Sequence, residues 1–152
     1  MTMRLRTWDY RSPGFYFVTA CTAARRPLFG EVALGRMHMT PVGAIARDAL
    51  SRLDGRDGRI ECAVVMPDHV HLLLAITKAR GRSLSLFVRD YKALVTHGCR
   101  AAGLVGVDVA VWQRGFHDRV IRNDQELDAL RRYIETNPLR WSLARASGGA
   151  ST

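Results

Sequence analysis

Residues 59–76 read RIECAVVMPDHVHLLLAI, and this stretch decides the fold. Arg59–Met66 and His69–Ile76 are two short apolar runs of the length and composition of strands. Pro67-Asp68 lies between them and reads as a bend, since proline presets φ and aspartate favours turns. The whole predicts a β-hairpin. On a strand, residues two apart share a face, about 6.6 Å apart along the chain. His69 and His71 therefore point one way, and Val70 points the other.

Working outward, Phe15–Thr22 (FYFVTACT) is aromatic and β-branched, follows Ser12-Pro13-Gly14, and predicts a central strand. Gly35–Met39 fits a short second strand. Pro41–Asp54 carries apolar residues at 42, 45, 46, 49, 50 and 53, a helical stripe with proline at its start. Ser83–Arg100 repeats that pattern through Leu84, Phe87, Val88, Tyr91, Leu94 and Val95. Val109–Val120 suggests a short strand around Val111-Trp112 followed by a basic loop. Asn123–Asn137 is the last expected helix. Asn123 can cap it, Glu126 follows at capping-box spacing, and Pro138 is expected to end it. This order predicts an α+β fold: a ferredoxin-like or RRM-like antiparallel sheet with helices packed on one face. One domain is expected over residues 1–144, with 145–152 a flexible tail.

The chain has 152 residues, 47% hydrophobic and 24% charged, an ordinary globular composition with enough length for a core. No run approaches the ~18 apolar residues of a membrane span. The N-terminal MTMRLRTWDYRSPG lacks an apolar signal core, which predicts a cytoplasmic location. The three cysteines, Cys21, Cys62 and Cys99, are far apart and form no CxxC pair, against a disulfide scaffold or a Cys-based zinc finger. The net charge is +9, and only two of the 23 basic residues are lysine. Arginine grips phosphate in a two-pronged manner, so a polyanion partner is one reading of that excess; a GC-rich genome is the other. Residues 1–76 carry +3 and residues 77–152 carry +6, which puts the more basic surface in the second half.

Three features bear on chemistry. His69 and His71 are either two surface histidines or half of a divalent-metal site. Asp68 is a candidate third ligand, though its position suggests a turn residue. In the last helix Leu127, Leu130 and Ile134 form the buried stripe. Tyr133 lies beside it, and Asn137 follows one turn later. That pair is either a half-buried tyrosine and a helix-ending asparagine, or a nucleophile with an amide ligand next to it. Tyr91, inside its own helix's apolar stripe, reads as core. Finally Val111–Asn123 (VWQRGFHDRVIRN) interleaves aromatic and basic residues. That arrangement suits single-stranded nucleic acid, with guanidinium on phosphate and ring on base, or else a solvated loop pinned by a tryptophan. Trp112, Arg114 and Arg122 are candidates there, and Arg25-Arg26 extends the same basic surface.

With these elements in order, the sequence resembles the REP-associated tyrosine transposases, within the insertion-sequence group of single-tyrosine transposases. The pieces are Tyr16-Phe17-Val18-Thr19, Leu28-Phe29-Gly30, Met66-Pro67-Asp68-His69-Val70-His71, Tyr91-Lys92, Trp112-Gln113-Arg114, Ile121-Arg122-Asn123 and Tyr133-Ile134 with Asn137-Pro138. They span nearly the whole chain. The resemblance implies a histidine–hydrophobic–histidine metal site with His69 and His71 as ligands for Mg²⁺ or Mn²⁺, and Tyr133 as nucleophile. It places Asn137 where the wider group often carries glutamine, and Arg119 where relatives often carry histidine. Lys92 and Arg122 fall at basic positions that imply phosphate contact. The implied substrate is single-stranded hairpin DNA, a repetitive extragenic palindrome, cleaved and rejoined through a 5′-phosphotyrosine. The implied state is a monomer or a homodimer. The competing reading is a non-catalytic RRM-like nucleic-acid-binding protein derived from a transposase. A two-histidine phosphoesterase is disfavoured, because the chain has no pair of H-x-[ST] motifs.

Overall fold

The computed structural model describes residues 14–55, 58–76 and 84–146. Tyr10, Ser83 and residues 147–152 lie outside the described residues. Among the described residues, six strands and four α-helices follow in the order β1 (Gly14–Cys21), β2 (Gly30–Ala33), β3 (Arg36–Met39), α1 (Pro41–Leu53), β4 (Gly58–Met66), β5 (His69–Ile76), α2 (Leu84–Ala101), β6 (His117–Ile121), α3 (Asp124–Glu135) and α4 (Asn137–Ala146). A 3-10 turn, Ala23–Arg25, follows β1. The main sheet is antiparallel with order β4-β5-β1-β6, and β2-β3 forms a separate small hairpin.

The expected hairpin is present. Met66 pairs with His69 across the Pro67-Asp68 turn, and β5 then runs between β4 and β1. Every residue of β5 is buried. Alternation divides those side chains between two cores. Val70, Leu72, Leu74 and Ile76 join Tyr16 and Val18 of β1 beneath α1 and α2. Leu73 joins Phe15, Phe17 and Ile121 in a second core that receives Leu127, Leu130 and Ile134 of α3. The α+β class with an antiparallel sheet holds, but the helices are not confined to one face as expected: α1 and α2 cover one face and α3 the other, because β5 is buried on both. His69 and His71, odd-numbered like Leu73, fall on the α3 side.

Strand β4 keeps this two-sided arrangement through a bulge. The register against β5 shifts between Ile60 and Cys62. One extra residue reverses parity. Ile60 packs with the α1/α2 core, yet beyond the bulge it is Ala63 and Val65 that do so, while Cys62 and Val64 meet α3. Glu61, at the bulge, accepts from Arg131 of α3 at 3.1 Å and so ties the helix to the sheet edge.

Three expectations need correction. The 111–120 segment holds no strand at Val111-Trp112, only a single bridge from Trp112 to Thr22. The strand is β6, inside the segment expected to be a basic loop, and its pairing with β1 makes β1 central. Next, Asn123 does cap α3, accepting from Glu126 N at 2.8 Å, but α3 stops at Glu135. After Thr136 a further helix begins, with Pro138 in its first turn, where a missing N–H leaves no helical bond unmade. This α4 carries the chain through Ala146, into the expected tail. Third, β2 was not expected, and β3 begins at Arg36.

Ile134 is 2% exposed at the centre of the α3–sheet contact. Ile134→Ala should destabilise the protein by about 2–5 kcal/mol, through lost burial and the cavity left behind. A lower urea midpoint with an unchanged slope is the expected result.

Candidate active site

The alternation that buries β5 brings both histidines under α3. His69 is 2% and His71 6% exposed, and their ring centroids are 4.6 Å apart. A buried imidazole needs polar partners, and each ring has one. Thr19 lies directly across the β1–β5 ladder from His71, and its Oγ1 is 2.8 Å from His71 Nδ1. His69 Nδ1 lies within hydrogen-bonding distance of Asp68 Oδ1, at 2.7 Å. The other His71 nitrogen, Nε2, is buried and has no hydrogen-bond partner among the described residues. Burial, reinforced by the nearby His69, Arg140 and Arg25 charges, pushes the His71 pKa down to about 3. At neutral pH this ring is uncharged and has a lone pair to donate. Burial alone would raise the Asp68 carboxyl; hydrogen bonds from His69 and Arg25, with their charges, outweigh it and hold Asp68 below its usual value.

Tyr133 projects from α3 into the same cluster. Its ring lies 5.5 Å from His71, edge to face, and 6.1 Å from Phe17. Phe17 stacks on His71 at 5.1 Å, so one aromatic side chain wedges the nucleophile candidate against the imidazole. The Arg140 guanidinium lies over the Tyr133 ring at 3.9 Å and also donates to the Tyr133 carbonyl oxygen. Asn137, 6% exposed, opens α4 one residue after the α3 cap. Among the described residues it makes no hydrogen bond to either histidine. The described residues hold no group of three His, Cys, Asp or Glu able to bind a metal, so any ion seated on His69 and His71 needs donors of another kind.

Helix α4 adds residues that the sequence did not single out. Trp141 packs on His69 at 5.9 Å, and Ser142 Oγ accepts from Gly35 N at 3.1 Å, docking the small hairpin. Between that hairpin, α4 and the Pro67-Asp68 turn lies a groove of about 840 Å³, lined by Arg25, His38, Thr40, Asp68 and Trp141 among others. The signal for α4 lies in Leu139, Trp141 and Leu143, masked in the sequence by Pro138, which reads equally as a stop. Thr19 was legible only once the β1–β5 register was known.

The rival tyrosine is settled by burial. Tyr91 is 1% exposed, its hydroxyl donates to the Ala46 carbonyl at 2.8 Å, and burial pushes its pKa far upward. The basic set divides. Arg114 and Arg122 are exposed, as is Arg26, which donates to the Ala110 carbonyl at 3.0 Å. Arg25 bonds Asp68 at 3.1 Å and edges the groove. Lys92 departs from expectation. Its ammonium donates to the carbonyls of Gln113, at 2.8 Å, and Gly115, and desolvation lowers its pKa. That charge holds the 113–115 loop instead of standing free for phosphate. Trp112 likewise packs on Phe29 and Tyr91, at 5.3 and 5.7 Å, and donates to the Lys92 carbonyl at 3.2 Å. It anchors the loop that presents Arg114. Arg119 lies on β6 and pairs with Glu126 at 3.4 Å.

The two buried imidazoles and Tyr133 thus lie together on the α3 side of the antiparallel sheet. The chain belongs to the IS200-like transposase family, whose sequence profile matches residues 16–137 and so takes in His69, His71, Tyr133 and Asn137. Its fold is similar to that of a REP-associated tyrosine transposase bound to a REP hairpin. The two are 25% identical, with a TM-score of 0.67 over 91% of this chain and 74% of that one. A Deinococcus radiodurans protein described as a "putative transposase" shares the fold at 22% identity and a TM-score of 0.52, over 88% of this chain and 96% of its own. An uncharacterized protein of Haemophilus influenzae is 26% identical over 92% of this chain and 88% of its own length. No helix among the described residues is long and apolar enough to cross a membrane.

Lys92→Met should lower the melting temperature, because two loop carbonyls lose their donor. It should leave the salt dependence of single-stranded DNA binding unchanged. Arg114→Ala and Arg122→Ala should each flatten that dependence by about 0.7 in log–log slope, the loss of one phosphate contact. Filter binding across a salt series separates the two behaviours.

Proposed function

We propose that this transposase cleaves and rejoins single-stranded DNA through a 5′-phosphotyrosine on Tyr133, with a divalent ion held by His69 and His71. The observation that carries the reading is the buried pair of imidazoles, 4.6 Å apart, with Tyr133 5.5 Å from His71 and His71 Nε2 left without a partner among the described residues. Two imidazole nitrogens suit Mn²⁺ and accept Mg²⁺ when oxygen donors complete the shell. Asn137 would supply one such oxygen, and phosphate and water the rest. When bound, the ion supplies charge stabilisation at the non-bridging phosphate oxygens.

The chain's own residues do the remainder. Phe17 and Arg140 hold the Tyr133 ring, and Arg140 sets positive charge beside it. A tyrosine hydroxyl is a weak nucleophile until its proton is removed, so the step needs activation of the Tyr133 oxygen as it attacks. The Tyr133 oxygen attacks phosphorus and the bond to the 3′ oxygen breaks. That oxygen leaves as a 3′-OH, its proton balancing the one lost from the phenol. The phosphodiester bond is exchanged for a phosphotyrosyl bond, so a second 3′-OH can reverse the step without ATP. Arg114, Arg122, Arg25 and Arg26 would contact phosphates, with Trp112 and Lys92 shaping the loop between them. A hairpin with a single-stranded flank, the ligand class of the REP-associated relative, is the proposed substrate.

Labelled hairpin DNA with a single-stranded flank, mixed with the protein and Mg²⁺ or Mn²⁺, should give a covalent adduct on a denaturing gel. The adduct should vanish with Tyr133→Phe or with chelator, fall at least a hundredfold with His69→Ala or His71→Ala, and survive Tyr91→Phe. An adduct retained by Tyr133→Phe would overturn the assignment. Binding without any adduct across a broad hairpin library would favour the non-catalytic alternative.

A further inference from the structure

The two histidines are backed by unlike partners. His71 has a neutral hydroxyl, Thr19, while His69 has the Asp68 carboxylate. That carboxylate is itself gripped from behind. Arg25 Nε donates to Oδ2 at 3.1 Å and Nη2 to Oδ1 at 3.3 Å, a two-pronged pair. Asp68 thus accepts on both oxygens. A residue needed only for the Pro67-Asp68 turn has no use for that, and the amide of asparagine cannot reproduce it.

The backbone that delivers Arg25 is built around the same turn. Thr22 N donates to the Asp68 carbonyl at 2.9 Å, and Thr22 Oγ1 donates to Arg26 O at 2.7 Å. Between these anchors Ala24 and Arg25 both sit in the left-handed region, with φ of 55° and 54°. Non-glycine residues avoid that region unless the surroundings impose it, and such outliers gather at functional sites. Here the imposed conformation aims a guanidinium at the carboxylate behind His69.

We propose that Asp68 and Arg25 are positioning residues that hold His69 in the Nδ1–H form, which frees Nε2 as a metal donor. The proposal rests on the metal-binding reading given above and adds to it a fixed tautomer and an asymmetry: His69 is the carboxylate-backed, more strongly donating ligand. Partners of this kind fix ring orientation and raise ligand basicity, and their loss typically weakens metal binding 10- to 100-fold. Arg25 is then a structural clamp first and a groove-edge cation second.

The test uses the full chain, ¹⁵N-labelled and stripped of metal, in two-bond ¹H–¹⁵N spectra of the imidazoles, with Mn²⁺ titrations followed by electron paramagnetic resonance. Wild-type His69 should carry its proton on Nδ1 before any metal is added. Asp68→Asn should move that proton to Nε2 and weaken Mn²⁺ binding about 10- to 100-fold. Arg25→Ala should weaken it by a smaller factor, and Arg25→Lys should restore part of the loss. A wild-type His69 protonated on Nε2 would overturn the proposal, as would Asp68→Asn with an unchanged tautomer and Mn²⁺ affinity within twofold. If Asp68→Asn does not fold, the wild-type spectrum and Arg25→Ala decide, with unchanged affinity in Arg25→Ala counting against it. Wild-type protein that shows the Nδ1–H form yet binds no Mn²⁺ would count against the function proposed above and leave the positioning of His69 by Asp68 and Arg25 standing.

Discussion

Burial of β5 on both faces is the constraint from which the rest of the structure follows. A strand with side chains in two cores has no solvent face on which to place a polar residue. One set of alternate residues fills the α1/α2 core and the other meets α3. Two imidazoles on the second set are therefore desolvated, and each must find a partner or remain a cost. Cross-strand register supplies Thr19 to His71, and the turn supplies Asp68 to His69. What stays unmet, His71 Nε2, is the atom that a metal would satisfy.

The same constraint explains why the tyrosine belongs on α3. A helix laid across the imidazole face presents its flanking residues beside the rings while its apolar stripe, Leu127, Leu130 and Ile134, packs on Leu73 and Ile121. Tyr133 adjoins that stripe, so the packing residues and the proposed nucleophile occupy neighbouring positions on one helix. The bulge at Glu61 keeps Cys62 and Val64 on this side, and Arg131 pins the helix to the bulge. Helix α4 then closes the far end, with Arg140 over Tyr133 and Trp141 against His69. Geometry at the site is thus set by sheet parity and by two helix junctions.

Much of this was legible in the sequence because it depends on short-range periodicity. The β5 boundaries, the common face of His69 and His71, the Asn123 cap and the stripe beside Tyr133 all follow from spacings of two or of three to four residues. What escaped depends on partners distant in sequence. Strand β6 is only HDRVI, half polar, and becomes a strand by pairing with β1. Pro138 ends α3 but also tolerates the first turn of α4, and no local rule separates the two roles. Lys92 and Trp112 look like phosphate and base contacts in a basic, aromatic stretch, yet the loop folds back so that the Lys92 ammonium bonds the Gln113 carbonyl and the Trp112 indole bonds the Lys92 carbonyl. Asp68 read as a turn residue, which it is; its second role needed Arg25, brought in from the turn after β1.

The central claim is that sheet parity builds a two-imidazole metal seat facing Tyr133. Anomalous scattering from crystals grown with Mn²⁺ tests it most directly. The account predicts a single Mn²⁺ peak within bonding distance of one ring nitrogen each of His69 and His71, on the side of the sheet covered by α3 and within reach of the Tyr133 hydroxyl. No peak between the two imidazoles, or a peak held by other side chains with both rings uninvolved, would contradict it.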